Sequence, residues 1–386
     1  MGGHFRRGAL LLLALLLLGL LFRYATRTVR RPPPPDAARP AARWAERWHD
    51  SVGAAPAGPP VWIGDGWCAA FRDGSVVAWN ADGQRRWTLK QAGNRWLAPA
   101  AVPGRVILAE EEGNLRALQT ADGGVVWFRP EQAGALAQPP VVAPDTDQGL
   151  ARILAVDASE GILRAFDAAD GHVLWQSEAC GRTDGPPAAG TPFVAFGNCE
   201  AAIHLFRAAD GRRLARIPLG DDAQVAGGLA LDGGRGYLWV RGGTFVAVDL
   251  VATSVVWRVP LGETDYFATP VSDPARGIVF TGTFAGEALA LRAADGQILW
   301  RRPLADTPLD PLLLAHGLLF AGADGVLHLL RAADGAPLMR FDLGQPLTAP
   351  VAAPEASDGV MVITDDGYVA VLGPTGSNGS VSGVGL

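Results

Sequence analysis

The sequence predicts an all-β fold, an eight-bladed β-propeller of four-stranded antiparallel blades, because three features repeat together. A glycine recurs about every forty residues, with Ala201 in the one slot that lacks it. Most periods also contain an Asp-Gly turn, and most have a tryptophan shortly after the turn. Self-similarity at such a period indicates stacked copies of one supersecondary unit. The period-marking glycines are Gly74, Gly113, Gly161, Gly243, Gly286, Gly325 and Gly367.

Each unit is predicted to be a set of short strands joined by tight turns. Asp-Gly between apolar runs is a strong hairpin signal, because glycine accepts a positive φ without strain. Earlier in each unit lie an apolar run and a short Pro-Val type segment, such as Pro139–Val142. Three or four strands at this period are typical of propeller blades, since β-sandwich repeats are nearer ~100 residues. The turns are Asp82-Gly83, Asp122-Gly123, Asp170-Gly171, Asp210-Gly211, Asp295-Gly296 and Asp334-Gly335.

The tryptophans after the turns are predicted to pack between neighbouring blades. One tryptophan buries ~150–250 Å², so their repeated burial would hold much of the ring together. Ala215 and Met339 are the departures, and Thr253 replaces the turn glycine in the fifth unit. The residues assigned to blade packing are Trp87, Trp127, Trp175, Trp257 and Trp300.

The two ends of the chain are predicted to close the ring. The eighth unit has its hairpin at Asp366-Gly367 and then fades into a Gly/Ser-rich stretch without a tryptophan. The segment that precedes the first full unit carries the missing residue type. We therefore expect Trp44 and Trp48 to lie in a strand that completes the last blade; a short amphipathic helix is the alternative.

The N-terminus carries a targeting signal. Residues 1–7 are a basic region, and the leucine-rich residues 8–24 are predicted to form a retained signal-anchor helix in the membrane rather than a cleaved signal peptide. Residues 25–43 form a Pro/Arg-rich linker, which is typical of a semi-rigid spacer. The propeller is assigned to residues 44–372, and the Gly/Ser-rich residues 373–386 are predicted to be a disordered tail.

Charge and cysteine content indicate compartment and partners. The net charge is -6, and no basic face for nucleic acid is apparent, so none is expected as a partner. Cys180 and Cys199 fall in adjacent units, where a disulfide and two buried free thiols are both open. Disulfides persist in oxidising compartments, so we expect the propeller in the periplasm or on the outer surface.

The sequence shows no catalytic constellation, and no catalytic residue or metal ligand is assigned. Its histidines are scattered without metal-ligand spacing, although His204 and His328 occupy matching places in their units. The loop at 145–149 is similar to the start of a calcium loop, but Val156 stands where an EF-hand needs glutamate. Residues 110–112 are expected to form a solvated turn.

Protein partners are expected at the loops that follow the tryptophan strands. These loops mix acidic, amide and aromatic residues and could hold a peptide or another protein, and the sequence does not choose between the two faces of the ring. The candidate loops are Lys90–Pro99, Pro130–Pro139, Gly181–Pro192, Pro218–Gly227, Gly262–Pro270, Leu304–Pro311 and Gly344–Pro350.

The pattern Gly-x-x-x-Ala-Leu/Phe-x-Ala-x-Asp-Gly-x-x-x-Trp resembles the repeat of the PQQ-binding-like propellers. This family includes the quinoprotein alcohol dehydrogenases and BamB, and the resemblance covers residues 44–372. The resemblance to BamB implies a non-catalytic, membrane-tethered scaffold that binds other proteins. The alternatives are a protein or oxidoreductase that binds pyrroloquinoline quinone, and an envelope sensor domain.

Two departures from the family pattern limit what the resemblance implies. The dehydrogenases hold pyrroloquinoline quinone, with calcium, under a disulfide between adjacent cysteines, and none of the three cysteines here is adjacent to another. No cofactor is therefore predicted, although the quinone and calcium stay possible. BamB is anchored through a lipidated cysteine after its signal peptide, whereas the first cysteine here, Cys68, lies far beyond the apolar segment.

Overall fold

The computed structural model describes residues 43–143, 151–220, 223–225, 227–262, 267–304, 306–354 and 359–375. These residues form strands, turns and loops, without a helix. In this part of the chain no helix is long and apolar enough to cross a membrane. The expected anchor at residues 8–24, nearly all of the linker and most of the tail lie outside the described residues.

The strands assemble into eight antiparallel sheets, the blades, seven of which have four strands in simple chain order from the inner to the outer strand. Blade 1 contains β2 (Val61–Trp62), β3 (Gly66–Ala70), β4 (Ser75–Asn80) and β5 (Arg85–Lys90), and blade 2 contains β6 (Ala100–Val102), β7 (Arg105–Ala109), β8 (Leu115–Gln119) and β9 (Val125–Arg129). Blade 3 contains β10 (Val141–Ala143), β11 (Arg152–Val156), β12 (Leu163–Asp167) and β13 (Val173–Gln176), and blade 4 contains β14 (Ala188–Ala189), β15 (Phe193–Asn198), β16 (Ala202–Arg207) and β17 (Arg213–Pro218).

Blades 5 to 7 repeat this order. Blade 5 contains β18 (Ala230–Asp232), β19 (Arg235–Val240), β20 (Thr244–Asp249) and β21 (Ser254–Pro260). Blade 6 contains β22 (Val271–Asp273), β23 (Ile278–Thr283), β24 (Glu287–Arg292) and β25 (Ile298–Pro303). Blade 7 contains β26 (Leu312–Leu314), β27 (Gly317–Ala321), β28 (Val326–Leu330) and β29 (Pro337–Asp342). Their short inner strands lie beside those of the next blade, as an eight-bladed propeller requires.

Blade 8 joins the two ends of the chain. Its three strands are β1 (Trp44–Ser51), β31 (Tyr368–Pro374) and β30 (Val360–Ile363), in that order, and a single bridge between Ala352 and Met361 stands in for an inner strand. β1 pairs antiparallel with β31 and is the outer strand of the blade. Trp44 and Trp48 therefore lie in a strand and not in a helix.

In seven of the eight blades the period-marking glycine stands just before the third strand, in a left-handed backbone conformation. Gly74 has φ 83°, and a Cβ at this position would lie 2.1 Å from the carbonyl oxygen of Gln91, where the outer strand of the same blade ends. A left-handed backbone disfavours side chains. The fourth blade has Ala201 here with φ 57°, so its turn keeps the same conformation under strain.

Eight separate hydrophobic clusters fill the spaces between neighbouring blades, one at each joint of the ring. At six joints a tryptophan of the outer strand contributes to the cluster. It lies against the hairpin of the next blade, and we call such a contact an indole joint. The tryptophans at these joints are Trp48, Trp87, Trp127, Trp175, Trp257 and Trp300.

At five of the six indole joints the tryptophan and two small residues form one packing unit, as the joint between blades 2 and 3 shows; Trp48 instead stands opposite Val371. Trp127 stands opposite Ala117 in the strand register, and the small alanine leaves room for the indole. The ring lies against Gly171 of the next hairpin, where a Cβ would come within 2.7 Å of it. The indole Nε1 donates to the carbonyl oxygen of Ala168 at 3.2 Å, so the unit also ties two blades together by a hydrogen bond.

At two joints the outer-strand position that faces the next blade carries no tryptophan, and the residues around this position differ as well. Between blades 4 and 5 the tryptophan position is Ala215, its cross-strand partner is Leu205, and the facing turn has Thr253 at φ 52° instead of glycine. Between blades 7 and 8 the position is Met339, opposite Leu329. At both joints, therefore, the outer strand has a residue smaller than tryptophan, and the facing residue of the third strand is leucine instead of alanine.

Candidate partner-binding face

The loops proposed from the sequence lie on one end of the ring, which we call the loop face. It carries the connections from each outer strand to the next blade and the loops between second and third strands. The opposite end, the hairpin face, carries the Asp-Gly hairpins. One correction concerns Gly181–Pro192, because β14 (Ala188–Ala189) lies inside it and only its first part is a loop.

Backbone hydrogen bonds tie the described loops of the loop face to the strands of their own blades and form a hydrogen-bonded platform. At the end of every outer strand a backbone N–H donates to a carbonyl at the start of the same blade's third strand, as from Gln91 to Gly74 at 3.0 Å. A second bond joins the loop between second and third strands to the loop that enters the blade, as from Glu111 to Arg95 at 3.1 Å. In the described residues this second bond is present in blades 1, 2, 3, 4, 5, 7 and 8.

A charged network lies at the loop face between blades 1 and 2. Arg116 donates to Glu110 at 2.9 Å and to the side-chain oxygen of Gln91 at 2.9 Å, and both members of the ion pair are largely buried. The Arg116 guanidinium also lies 4.9 Å from the ring of Trp96 and 5.0 Å from that of Phe128. The expectation of a solvated turn at 110–112 is therefore wrong for Glu110, which is held by this cation.

The same strand position is polar in the next two blades. Arg164 of blade 3 donates to the carbonyl oxygen of Ala133 at 2.9 Å. His204 of blade 4 stacks on Phe196 and accepts a hydrogen bond at Nδ1 from Arg213 at 2.6 Å, since an arginine only donates. Burial, with the nearby arginines, lowers the pKa of His204 to about 4. His204 is therefore neutral at pH 7 and carries its proton on Nε2.

Of the two alternatives left open for Cys180 and Cys199, the structure has free thiols, as it has for Cys68. Cys180 is buried, and its Sγ lies 3.4 Å from Arg213 and 3.5 Å from the carbonyl oxygen of Glu178. The Sγ of Cys199 lies 3.6 Å from the carboxylate of Asp184. Each thiol thus has polar neighbours of its own. Burial raises the pKa of both, so neither is a ready nucleophile.

Exposed acidic residues stand at one repeated position of the loop face, immediately before the period-marking residue. They occupy it in five neighbouring blades: Asp366, Asp73, Glu112, Glu160 and Glu200. The carboxylates of both aspartates accept hydrogen bonds from groups of their own turns, and so stabilise these turns. The three glutamates form no ion pair with any described residue. They leave an arc of negative charge over blades 2, 3 and 4.

The inner part of the loop face offers little room for a small molecule. The cleft between blades 3 and 4, lined in part by Gln138, Thr183 and Pro187, has no room for a water molecule, and therefore none for a planar quinone. Where the chain enters blades 6 and 7, Asp310 accepts the Thr269 N–H at 2.9 Å, and burial raises the pKa of Asp310 to about 6.

Metal-ligand geometry is present at one hairpin, on the opposite face. Ligand atoms of Asp167, Asp170 and His172 lie within 4.8 Å of one another. The Nδ1 of His172 is hydrogen-bonded to Asp170 at 2.6 Å. Arg105 donates hydrogen bonds to the backbone carbonyls of the same turn, so the positive charge beside this hairpin is already supplied by the Arg105 guanidinium. The calcium-like loop at 145–149 lies outside the described residues.

Sequence reasoning located the blade-packing tryptophans but missed the buried polar groups. The structure places each proposed tryptophan between blades, and it adds Trp48 to the set through its Nε1 bond to Ala81 at 2.9 Å. Trp44 packs instead at the joint between blades 7 and 8. A signal for the polar network existed, because Arg116, Arg164 and His204 all stand three residues after the period-marking position.

Comparison with known proteins gives a family match and several similar folds. A family model described as the outer membrane protein assembly factor BamB matches residues 41–153 and 159–311. BamB from Moraxella catarrhalis superposes with a TM-score of 0.70 at 18% identity, over 88% of this chain and 100% of that one. No curated protein matches the chain by sequence.

Two further structures show how widely this fold occurs. The computationally designed Ika8 protein superposes with a TM-score of 0.69 at 14% identity, over 85% of this chain and 99% of that one. Quinohemoprotein alcohol dehydrogenase from Comamonas testosteroni has a TM-score of 0.67 at 13% identity, over 86% of this chain and 76% of that one. At such identities the likeness concerns the fold alone.

Proposed function

The chain belongs to the family of the outer membrane protein assembly factor BamB, and from this premise we propose that its propeller is a non-catalytic scaffold that binds another protein through its loop face. The observation that carries the proposal is the hydrogen-bonded platform of that face. A surface that is already ordered loses little conformational entropy when a partner docks.

The charge of the loop face indicates what kind of partner fits. Glu112, Glu160 and Glu200 present carboxylates from adjacent blades, and none of the three is ion-paired with a described residue. On the hairpin face, by contrast, several aspartates are paired within their own hairpins, as in the bond from Arg292 to Asp295 at 2.9 Å. A partner with a basic surface would be attracted to the loop face, and this attraction would weaken with added salt.

Tethering to the membrane through residues 8–24, with the ring on the periplasmic side, completes the proposal. The leucine-rich composition of that segment and the family membership support it. The free cysteines lend it no support, because the disulfide that favoured an oxidising compartment is not formed. The quinone-binding and sensor alternatives have no observation of their own in their favour.

The test is capture of the tagged full chain from membranes in mild detergent, with the bound proteins identified at low and high salt. We expect one stable protein partner, released as the salt concentration rises. The double variant Glu112→Gln with Glu160→Gln should weaken the capture. The matched control, Asp65→Asn with Asp232→Asn on the hairpin face, removes the same charge and should leave it intact.

Two results would count against this function. One is the absence of any stable partner from the wild-type chain under mild conditions. The other is equal loss of the partner in the loop-face and hairpin-face variants, since that would place binding elsewhere. A saturable spectral change on adding pyrroloquinoline quinone and calcium to the purified ring would instead favour the quinone alternative.

A further inference from the structure

The outer strand of blade 2 carries more exposed large apolar side chains than any other outer strand that the structure describes. Three residues of β9, which we call the blade 2 patch, are exposed: Val125, Val126 and Phe128. Single exposed hydrophobic residues are ordinary on a protein surface, whereas neighbouring ones mark interaction sites. On the premise of the proposed function, we propose that this patch anchors the basic protein partner of the loop face, with the Phe128 ring as the central contact.

Phe128 stands at a position that is polar in the other seven blades. It directly follows the indole position and lies opposite Arg116 in the strand register. Because this position accepts a polar or charged side chain in every other blade, the packing of a blade does not require a phenylalanine there. The Phe128 ring is therefore free to serve a contact outside the propeller. The matched residues are His49, Thr88, Gln176, Arg216, Arg258, Arg301 and Arg340.

A largely buried cation holds the Phe128 side chain in place. The guanidinium of Arg116 lies 5.0 Å from the centre of the Phe128 ring. This guanidinium is itself fixed, because Glu110 and Gln91 each accept a hydrogen bond from it at 2.9 Å. The ring is thus attracted to a fixed cation before a partner arrives. An ordered side chain loses little conformational entropy on binding, and aromatic residues are preferred as anchors of protein interfaces.

Hydrogen bonds connect the blade 2 patch to the acidic part of the loop face. Glu110, which binds the cation beneath the patch, accepts a hydrogen bond from the Asn114 side chain at 2.9 Å. Asn114 in turn accepts the Glu131 N–H at 2.9 Å. Glu112 stands on the same turn as Glu110 and Asn114. The carboxylates of Glu112 and Glu131 form no ion pair with any described residue. The patch is therefore continuous with the surface proposed for the basic partner.

The cations around the patch do not offset these two carboxylates. Arg95 is paired with Glu111 at 2.6 Å, and Arg116 is paired with Glu110 at 2.9 Å. Arg129 donates to a backbone carbonyl and leaves one positive charge beside the two free carboxylates. The surroundings of the patch thus match a partner segment that combines basic side chains with an apolar one.

Photo-crosslinking from Phe128 tests this contact directly. In the tagged full chain, p-benzoylphenylalanine replaces Phe128 and, in a separate variant, Arg301, which holds the matched position of blade 6 and is also exposed. Membranes are irradiated before capture, and the linked peptide is identified by mass spectrometry. We expect the captured partner to be linked from position 128 and not from position 301, through a peptide that carries basic and apolar residues.

A substitution that the fold already accommodates measures how much the ring contributes. Phe128→Gln installs opposite Arg116 the pair that blade 3 has in Arg164 and Gln176. It should weaken partner binding about tenfold, as loss of an interface anchor does, at an unchanged unfolding midpoint. The matched control is Leu299→Gln in blade 6, since Leu299 is 40% exposed and Phe128 is 43% exposed. This control should leave binding unchanged.

The outcomes separate this anchor from the proposed function. If the wild-type chain captures no partner, the proposed function fails and the anchor fails with it. If a partner is captured and is released by Glu112→Gln with Glu160→Gln, but is neither linked from position 128 nor weakened by Phe128→Gln, the anchor alone is overturned. Links from position 128 only to lipid or to a second copy of this chain would also overturn it, since another occupant would then cover the patch.

Discussion

The joint between blades 2 and 3 and the joint between blades 4 and 5 fill the same space with different residues. At the first, Trp127 opposes Ala117 and lies against the glycine of the next hairpin. At the second, Ala215 opposes Leu205 and the hairpin carries Thr253 at a positive φ. Between these two joints, three positions that are distant in sequence differ together. A substitution at one of them should therefore be judged against the other two.

The largest effect is expected from removing an indole. Trp127→Ala should lower the free energy of unfolding by about 3–5 kcal/mol, because it leaves a cavity between two blades and removes the indole hydrogen bond to the Ala168 carbonyl. Denaturant unfolding, with the slope checked for two-state behaviour, measures the change. Met339→Ala is the matched substitution at the joint between blades 7 and 8 and should cost less, since no side-chain hydrogen bond is lost there. Equal costs would remove the distinction between the two joints.

Substitutions at the two kinds of turn are expected to change the stability of the fold in opposite directions. Gly171→Ala should destabilise the fold by about 1–2 kcal/mol or more, because φ is 76° and the new Cβ would press on the Trp127 ring. Thr253→Gly should instead stabilise it by up to about 1 kcal/mol, since it releases a strained backbone that no indole covers. Thermal and denaturant midpoints of both variants decide this, and effects of the same sign would contradict the account.

A smaller, pH-dependent effect is expected at the joint between blades 3 and 4. The pKa of His204 is about 4 in the fold, below its ordinary value of 6.5, so the unfolded chain takes up the proton first as the pH falls. The stability linked to His204 is complete above pH 6.5 and is lost progressively toward pH 4, where Arg213 and Arg216 repel the new charge.

The measurement compares unfolding at pH 7 and pH 5 in the wild type and in His204→Gln. The variant should lose less stability between these values. Asp310 acts in the opposite direction, because its pKa is raised to about 6, but it is unchanged by the substitution and cancels in the comparison. The same pH dependence in both proteins would exclude His204 as its source.

Much of the fold could be predicted from the sequence because its signals are local. The period, the Asp-Gly turns and the tryptophans each reflect a backbone or packing need within a few residues, and Trp48 has the residue type that blade 8 lacks. The coupling of Ala215 to Leu205 was also present in the sequence, but only the strand register places these residues opposite each other.

The candidate site was harder to predict because its contacts cross between blades. Arg116 donates hydrogen bonds to Gln91 of another blade and to Glu110 across a turn. The spacing of these residues in the sequence does not predict either contact. The choice of face also depends on three-dimensional order, since the alternation of strand direction brings the candidate loops to one end of the ring. The sequence left the state of the cysteines open for the same reason, because adjacent units do not ensure adjacent thiols.

The closure of blade 8 by the first strand has a mechanical consequence. A pull on the chain before Arg43 would load β1 at its Trp44 end and begin to peel it from β31. The peeling would next reach Trp48 and Asp50, which are fastened to blade 1 through Ala81 and Arg85. Tension applied to β1 would thus be passed to blade 1 through these two side chains before β1 separates from β31.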